Sequence, residues 1–238
     1  MRHGSTEVWK LHISRRAARL RGLQVNDVSD FQALAAAVGA EISAEGAARL
    51  LAYLDAMLAE NQHINLTAVR ERDAAVMLHA LDSVALAACG VEEPREVLDL
   101  GTGNGFPGVA VACLFPGARL VLMDRRLKKL HAIMRALGAA GFDTERFEIA
   151  HMDAKEAQAQ GHAARYDLIT TRAVGPPDAV GKLSQPLLAP NGRFVAWLSD
   201  ETEAPAALKC GLRHVGGTEY DLPAPALRRR RIACYEAP

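Results

Sequence analysis

A short apolar run that ends in a glycine-rich turn is the clearest chemical signal in this sequence. Residues 97–100 have the apolar character of a buried strand, and Gly101, Gly103 and Gly105 follow at spacings of two. The apolar segment that starts after Gly108 can form the first turns of a helix. Because glycine has no Cβ, the backbone N–H groups of such a turn can closely approach a ligand. The pattern predicts a nucleotide-like ligand between a strand and a helix.

Two acidic residues indicate which nucleotide this is. The dinucleotide fingerprint has its third glycine one residue after Gly105, where this chain has Phe106. We expect Asp99 to point from the strand end into the site, where a carboxylate suits an ammonium group better than a pyrophosphate. Asp124 ends a second apolar segment about 23 residues after Gly101, near the ~20-residue spacing at which an acid reaches ribose hydroxyls. Both could be ordinary strand-end acids, but together with the glycines they favour S-adenosylmethionine.

Strands and helices alternate through the region that must position these residues. Strand segments are predicted at 97–100, 119–124, 146–150, 167–171 and 193–198. Such alternation favours a doubly wound, mostly parallel sheet with its ligand at the carboxyl ends of the strands. Asp153 and Arg172 follow the third and fourth strands, so they should join Asp124 at that edge. The tail from 213 to 236 is predicted to close the sheet as an antiparallel hairpin.

Helical patterns precede the sheet. Helices are predicted at 31–38, after the capping residue Ser43, and at 74–89. In the last of these, His79 and Asp82 lie one turn apart, and this spacing fits either a local salt bridge or two side chains that line the cofactor cleft. The predicted division is a basic and partly disordered arm at 1–28, a helical segment at 29–92 and the α/β domain at 93–238.

Composition and charge narrow the class of protein. The 238 residues contain 28 Lys plus Arg and 28 Asp plus Glu, so the net charge does not predict a polyanionic partner. Four scattered cysteines form no C-x-x-C pair and no apolar run reaches 18 residues, so we expect no metal site, no disulfides, no membrane contact and a cytoplasmic location. Local charge is uneven, because Arg228, Arg229, Arg230 and Arg231 are consecutive. They must occupy a strand end or an exposed edge, where they either keep the edge soluble or contact RNA phosphates.

The segment after the fourth strand bears on the methyl acceptor. Enzymes that methylate amino groups of bases commonly have Asp/Asn-Pro-Pro-aromatic there, whereas this chain has Thr171-Arg172-Ala173-Val174. Carbon methylation of pyrimidines generally needs a cysteine nucleophile, and no cysteine lies near the fourth or fifth strand. A ring nitrogen such as guanine N7 has a free lone pair, so positioning and electrostatics suffice. The absent motifs favour such an acceptor.

Four motifs occur in a characteristic order and spacing. They are Asn65-Leu66-Thr67-Ala68-Val69-Arg70, His79-Ala80-Leu81-Asp82-Ser83, the glycine turn 99–108, and Thr171-Arg172-Ala173-Val174. From about Ser43 to the C-terminus the chain resembles the bacterial small-subunit ribosomal RNA guanine-N7 methyltransferase family, also called glucose-inhibited division protein B. The resemblance implies a class I (Rossmann-like) α/β methyltransferase fold with an N-terminal helical appendage. It also implies that S-adenosyl-L-methionine is the cofactor and that N7 of a guanine in 16S rRNA, bare or in the small ribosomal subunit, is methylated.

The resemblance also implies roles for individual residues: cofactor contacts at Gly101, Phe106, Ala154, Lys155 and Arg172, and an acceptor pocket flanked by Asn65, His79 and Asp82. Combined with the residues argued above, the candidate cofactor-binding set is Asp99, Gly101, Gly103, Gly105, Phe106, Asp124, Asp153, Ala154, Lys155 and Arg172. The candidate catalytic residues are Arg172, Asn65, His79 and Asp82. The candidate RNA-binding residues are Arg70, Arg228, Arg229, Arg230 and Arg231. We expect a monomer.

The chain departs from the family pattern at several positions. Leu78 and Ser199 stand where the family usually has an arginine and a lysine, and Arg125 stands where it usually has a serine. Because RNA contacts commonly involve cations, these changes bear on the substrate more than on the cofactor. The alternatives are a methyltransferase of small molecules or proteins, and a non-catalytic module of the same fold that binds the cofactor or RNA.

Overall fold

A seven-stranded sheet forms the centre of the computed structural model, which describes residues 25–199 and 201–237. The strands are β1 (Glu96–Leu100), β2 (Arg119–Asp124), β3 (Phe147–His151), β4 (Tyr166–Arg172), β5 (Leu188–Ser199), β6 (Arg213–Leu222) and β7 (Arg228–Glu236). Their order is β3-β2-β1-β4-β5-β7-β6. Strands β1 to β5 pair in parallel, and β7 is antiparallel to both β5 and β6. The predicted fold class, including the closing antiparallel hairpin, is confirmed.

The helices cover both faces of the sheet. They are α1 (Val28–Ala37), α2 (Ala44–Asn61), α3 (Arg72–Ala75, the π-helical turn Val76–Leu81 and Asp82–Val84), α4 (Gly108–Leu114), α5 (Leu127–Ala139) and α6 (Pro177–Ser184). Shorter helical turns are Ala85–Cys89, Thr144–Arg146, Gln158–His162 and Gln185–Leu187. Alternate residues of a strand face opposite sides, so Val97 joins the core beneath α1 to α5, whereas Leu98 joins the core beneath α6. The N-terminal helices therefore share their hydrophobic core with the sheet.

Helix α2 begins where the sequence indicates. The Ser43 side chain caps it by accepting a hydrogen bond from the Gly46 N–H at 3.0 Å. Leu50, Leu51 and Leu54 form a buried apolar stripe along this helix. The buried face is wider than this stripe, because Tyr53 and Met57 are also fully buried. This extra width brings an aromatic side chain to the glycine turn, as described below.

The third predicted helix contains a π-helical turn that helical periodicity does not reveal. The predicted segment 74–89 is helical throughout, but residues Val76–Leu81 form a π turn and Ala85–Cys89 form a 3₁₀ turn. A π turn adds a residue to one turn of the helix, and such turns frequently occur at functional sites. His79 lies in the π turn and Asp82 directly follows it, and both are buried.

The four consecutive arginines begin β7. The strand-end prediction is confirmed, but the exposed-edge alternative is wrong, because β7 lies between β5 and β6 and the edge strand is β6. The physical reason is that the hairpin folds back into the sheet, so the last strand is inserted beside β5. Most of the predicted basic arm, residues 1–24, lies outside the described residues.

The described residues were searched for membrane-spanning helices and for clusters of metal ligands. None of their helices is both long and apolar enough to span a membrane. Nor do they contain a group of three or more His, Cys, Asp or Glu residues placed to hold a metal ion. Among the cysteines, Cys113 and Cys234 are buried free thiols.

Candidate cofactor and acceptor site

The glycine turn lies at the carboxyl end of β1, where the strand order reverses between β1 and β4. Gly101, Gly103 and Gly105 have φ values of +75°, +59° and +88°, a region that favours glycine. The Gly101 N–H donates to the Met123 carbonyl oxygen at 2.9 Å, which ties the turn to β2. A Cβ at Gly101 would overlap the Val174 side chain, whereas a Cβ at Gly103 would meet only a carbonyl oxygen at 3.7 Å. Gly103 therefore leaves the backbone open on the side where a ligand can approach.

Tyr53 of α2 packs against the glycine turn and holds it by a hydrogen bond. Its hydroxyl donates to the Asn104 carbonyl oxygen at 2.9 Å, and its ring contacts the edge of Phe106 with centroids 5.5 Å apart. A side chain at Gly105 would overlap this hydroxyl. Our sequence analysis missed Tyr53, although its position three residues after Leu50 was a signal that could have placed it on the buried face. The N-terminal helices thus directly shape the turn.

Asp99 has different partners from the one we expected. Its carboxylate is fully buried, accepting hydrogen bonds from the Gly108 N–H at 3.0 Å and the Thr170 hydroxyl at 2.9 Å. Burial raises the pKa of Asp99 to about 6, although these hydrogen bonds act in the opposite direction. In this arrangement Asp99 joins the ends of β1, β4 and the glycine turn. Its contact with a ligand ammonium group stays a prediction.

The acids that follow β2 and β3 meet at the same edge of the sheet. Asp124 accepts hydrogen bonds from the Gly103 N–H at 3.1 Å and the Arg126 N–H at 2.9 Å. Asp153 accepts from the Lys155 N–H at 3.0 Å. Both acids are partly exposed, and a carboxylate has about four acceptor positions. Each therefore keeps lone pairs for a ligand, and Ala154, which lies beside Asp153, is also partly exposed.

Arg172 and Asp82 form an ion pair between β4 and α3. One terminal nitrogen of Arg172 lies 2.9 Å from Asp82 Oδ2 and also donates to the Leu78 carbonyl oxygen at 3.1 Å and to Ser83 Oγ at 3.2 Å. Its other terminal nitrogen approaches the Phe106 carbonyl oxygen at 3.5 Å. The exposed fractions of the two side chains are 10% for Arg172 and 1% for Asp82, so the pair is largely shielded from solvent. Arg172 thus connects the His79–Ser83 motif to the glycine turn.

The C-terminal hairpin completes the hydrogen bonding of Asp82. Arg230 Nε lies 3.0 Å from Asp82 Oδ1, and the Tyr220 hydroxyl donates to the same oxygen at 2.7 Å. The Trp197 indole donates to the Asp82 carbonyl oxygen at 2.7 Å. Our sequence analysis did not identify Tyr220 or Trp197. A buried carboxylate with two guanidinium groups and a hydroxyl satisfies the requirement that buried charges be paired and hydrogen-bonded.

His79 is buried beside Phe106. The two rings stack with centroids 5.7 Å apart, and His79 Nε2 lies 3.0 Å from the Thr67 hydroxyl. Its Nδ1 is buried without a hydrogen-bond partner in the described part of the chain. Burial, together with the nearby Arg172 charge, lowers the pKa of His79 to about 3. The imidazole is therefore neutral at physiological pH.

The Asn65–Arg70 motif forms a loop after α2. The Asn61 side chain accepts the Leu66 N–H at 2.8 Å and donates to the Thr67 carbonyl oxygen at 3.0 Å, which holds the loop in shape. Asn65 and Arg70 are exposed. The loop is joined to His79 through Thr67, so the structure brings this motif to the site.

The arginine run is divided between the two faces of β7. Arg230 binds Asp82 on one face, whereas Arg229 and Arg231 bind Glu219 of β6 on the other, at 2.7 and 2.6 Å. Arg228 is exposed and has no ion-pair partner among the residues that the structure describes. RNA contacts by the run stay a prediction, but it does not offer four unpaired cations.

Comparisons with known proteins agree on one family. A family model described as GidB: rRNA small subunit methyltransferase G matches residues 47–209. The ribosomal RNA small subunit methyltransferase G of Symbiobacterium thermophilum is 33% identical over 208 residues, which cover 83% of this chain and 85% of that protein. The protein of the same name from Leptothrix cholodnii is 33% identical over 175 residues, which cover 71% of this chain and 77% of that protein.

Solved structures share the fold at low sequence identity. Aeropyrum pernix fibrillarin with natively bound S-adenosyl-L-methionine has a TM-score of 0.50 and 14% identity, and covers 68% of this chain and 76% of its own. MtNAS in complex with MTA and tNA has a TM-score of 0.53 and 14% identity, and covers 97% of this chain and 99% of its own. At these identities the likeness shows the fold alone.

Proposed function

Because the chain belongs to the GidB family, described as rRNA small subunit methyltransferase G, we propose that it methylates N7 of a guanine in 16S rRNA, with S-adenosylmethionine as the methyl donor. The strongest single support is the family match over residues 47–209, which include the glycine turn, His79, Asp82 and Arg172. The substrate is either bare 16S rRNA or the small ribosomal subunit.

The residues at the carboxyl edge of the sheet fit this cofactor. The open backbone at Gly103 leaves room for a ligand, and Asp124 keeps acceptor positions for ribose hydroxyls. Asp153, Ala154 and Lys155 would contact the adenine, and the turn at Gly101 to Phe106 would hold the methionine part. When bound, S-adenosylmethionine supplies an electrophilic methyl group on its sulfonium.

The acceptor side of the site fits a nucleophile that needs no general base. Guanine N7 has a lone pair, so the protein must mainly orient the base and exclude water. His79 is neutral because its pKa is about 3, and the Asp82 carboxylate is committed to Arg172, Arg230 and Tyr220. His79 and Asp82 are therefore better suited to shaping the pocket and orienting the guanine than to accepting a proton from it. The guanine must be unstacked or lie in a loop to enter the site.

Two further aspects of the proposal concern the state of the protein. We propose that it acts as a monomer, with the acceptor pocket built from Asn65, His79 and Asp82 of a single chain. We also propose that it acts in the cytoplasm, where its ribosomal substrate is found. Sedimentation of the purified protein with and without RNA measures whether it is a monomer.

The decisive experiment is transfer of labelled methyl from S-adenosylmethionine to small ribosomal subunits and to bare 16S rRNA that lack the modification. The product nucleoside is identified by mass spectrometry. We expect 7-methylguanosine, with Arg172→Ala strongly reducing its formation and a surface variant, Arg95→Ala, leaving it unchanged. If neither RNA substrate is methylated while the cofactor still binds, the proposed substrate is wrong.

A further inference from the structure

The start of α5 and the two residues before it are rich in exposed cations. Arg125, Arg126 and Lys128 are exposed, the Arg125 side chain by 77%, and the first turn of α5 contains no acidic residue. The helix macrodipole disfavours a positive charge at this end by about 0.3 to 1 kcal/mol per charge. Helix stability therefore does not account for these residues.

The neighbouring groups do not neutralise this charge. Neither Arg126 nor Lys128 has an ion-pair partner among the residues that the structure describes. Arg125 lies 3.6 Å from Asp153, an exposed pair of the kind that contributes about 0 to 1 kcal/mol. The Asp124 carboxylate accepts hydrogen bonds from backbone N–H groups of Gly103 and Arg126. Three cationic side chains therefore face solvent with little compensation.

This surface adjoins the site. Asp124, the expected ribose-binding acid, directly precedes Arg125, and the Lys129 ammonium donates to the Leu66 carbonyl oxygen at 3.2 Å. The first turn of α5 is thus held between the cofactor edge and the loop that contains Asn65. A substrate strand that enters the acceptor pocket would pass close to these cations.

We propose that Arg125, Arg126 and Lys128, which we call the α5 cationic surface, bind backbone phosphates of the RNA substrate. This inference rests on the proposed function, because it assigns the partner of the same site. Three of the tail arginines are less free to bind phosphates, since Arg229 to Arg231 are bound to Glu219 and Asp82. An exposed cation with no strong acidic partner can bind a phosphate without breaking an existing ion pair.

The test compares two pairs of substitutions with the same change in charge. The first is Arg126→Ala with Lys128→Ala, and the control is Arg95→Ala with Arg119→Ala, two exposed arginines at the amino edge of the sheet. Affinity for unmodified 16S rRNA is measured by filter binding over a range of salt concentrations. Calorimetric binding of S-adenosylmethionine, which we expect both pairs to retain, checks that the site is folded.

Each lost phosphate contact lowers the slope of log K against log salt by about 0.7 to 0.9. We therefore expect the first pair to lower the magnitude of the slope by about 1.4 to 1.8 and the control pair to leave it near that of the unmodified protein. Suppose that the two pairs give equal slopes while the protein without substitutions still methylates 16S rRNA. This result would refute phosphate binding by the α5 cationic surface and would leave the proposed function standing. Failure of the unmodified protein to bind and methylate the RNA would overturn both.

Discussion

Replacing Tyr220 by phenylalanine removes one hydroxyl group from the network around Asp82 and nothing else. The hydroxyl lies 2.7 Å from Asp82 Oδ1 and 3.0 Å from its carbonyl oxygen, and the ring is buried. Phenylalanine keeps the ring and its packing, so the change isolates the hydrogen bonds. A hydrogen bond to a charged group contributes about 1.5 to 3 kcal/mol. Because Trp197 still donates to the Asp82 carbonyl oxygen, we expect Tyr220→Phe to lower the free energy of unfolding by about that amount.

Tyr235 of the same hairpin provides a matched control. It is also buried, and its hydroxyl has no hydrogen-bond partner within the described residues. Removing an unsatisfied buried hydroxyl relieves a desolvation penalty. We therefore expect Tyr235→Phe to change the free energy of unfolding by less than about 1 kcal/mol, and the change can have either sign.

Urea unfolding followed by far-UV circular dichroism measures both variants. A shift in the midpoint with an unchanged m value reports stability alone. Tyr220→Phe should unfold at a clearly lower urea concentration than Tyr235→Phe. If the two variants shift equally, or if Tyr235→Phe is the less stable, the Asp82 network does not hold the hairpin to α3 and our reading of this cluster is wrong.

Further predictions concern protonation, the turn and the cofactor. The unfolded chain protonates His79 near pH 6.5 and the folded one only near pH 3, so this residue costs stability as pH falls through that interval, about 2 kcal/mol at pH 5; His79→Gln should remove that part of the difference between urea midpoints at pH 7.5 and pH 5. Gly101→Asp should abolish S-adenosylmethionine binding in calorimetry, because its side chain would overlap Val174 in a turn with φ of +75°; unchanged affinity would refute the assigned site. Asp124→Asn should weaken cofactor binding roughly 10- to 100-fold, the equivalent of one charged hydrogen bond, and a smaller change would exclude a ribose contact.

The confirmed predictions depend on neighbouring residues in the chain. The glycines, the alternation of strands with helices and the Ser43 cap follow from backbone conformation and from periodicity, which extend over a few residues. The carboxyl ends of parallel strands meet at one edge of a sheet, so the meeting of Asp124, Asp153 and Arg172 followed from the fold class alone. The absence of the amino-methylation motif and of a nearby cysteine favoured a ring-nitrogen acceptor, and the motifs that resemble the family added its RNA.

Partnerships between distant residues were decided by the tertiary structure. Asp82 binds Arg172 and Arg230, which are 90 and 148 residues further along the chain, and no spacing rule covers such separations. From the sequence, the four consecutive arginines were expected at a strand end or at an exposed edge, with alternate residues on opposite faces of the strand. Only the fold decided that one face meets a buried carboxylate and the other meets Glu219, because pairing depends on which elements pack against each face. For the same reason only the fold showed that Arg125, Arg126 and Lys128 are exposed beside Asp124 and the loop that contains Asn65.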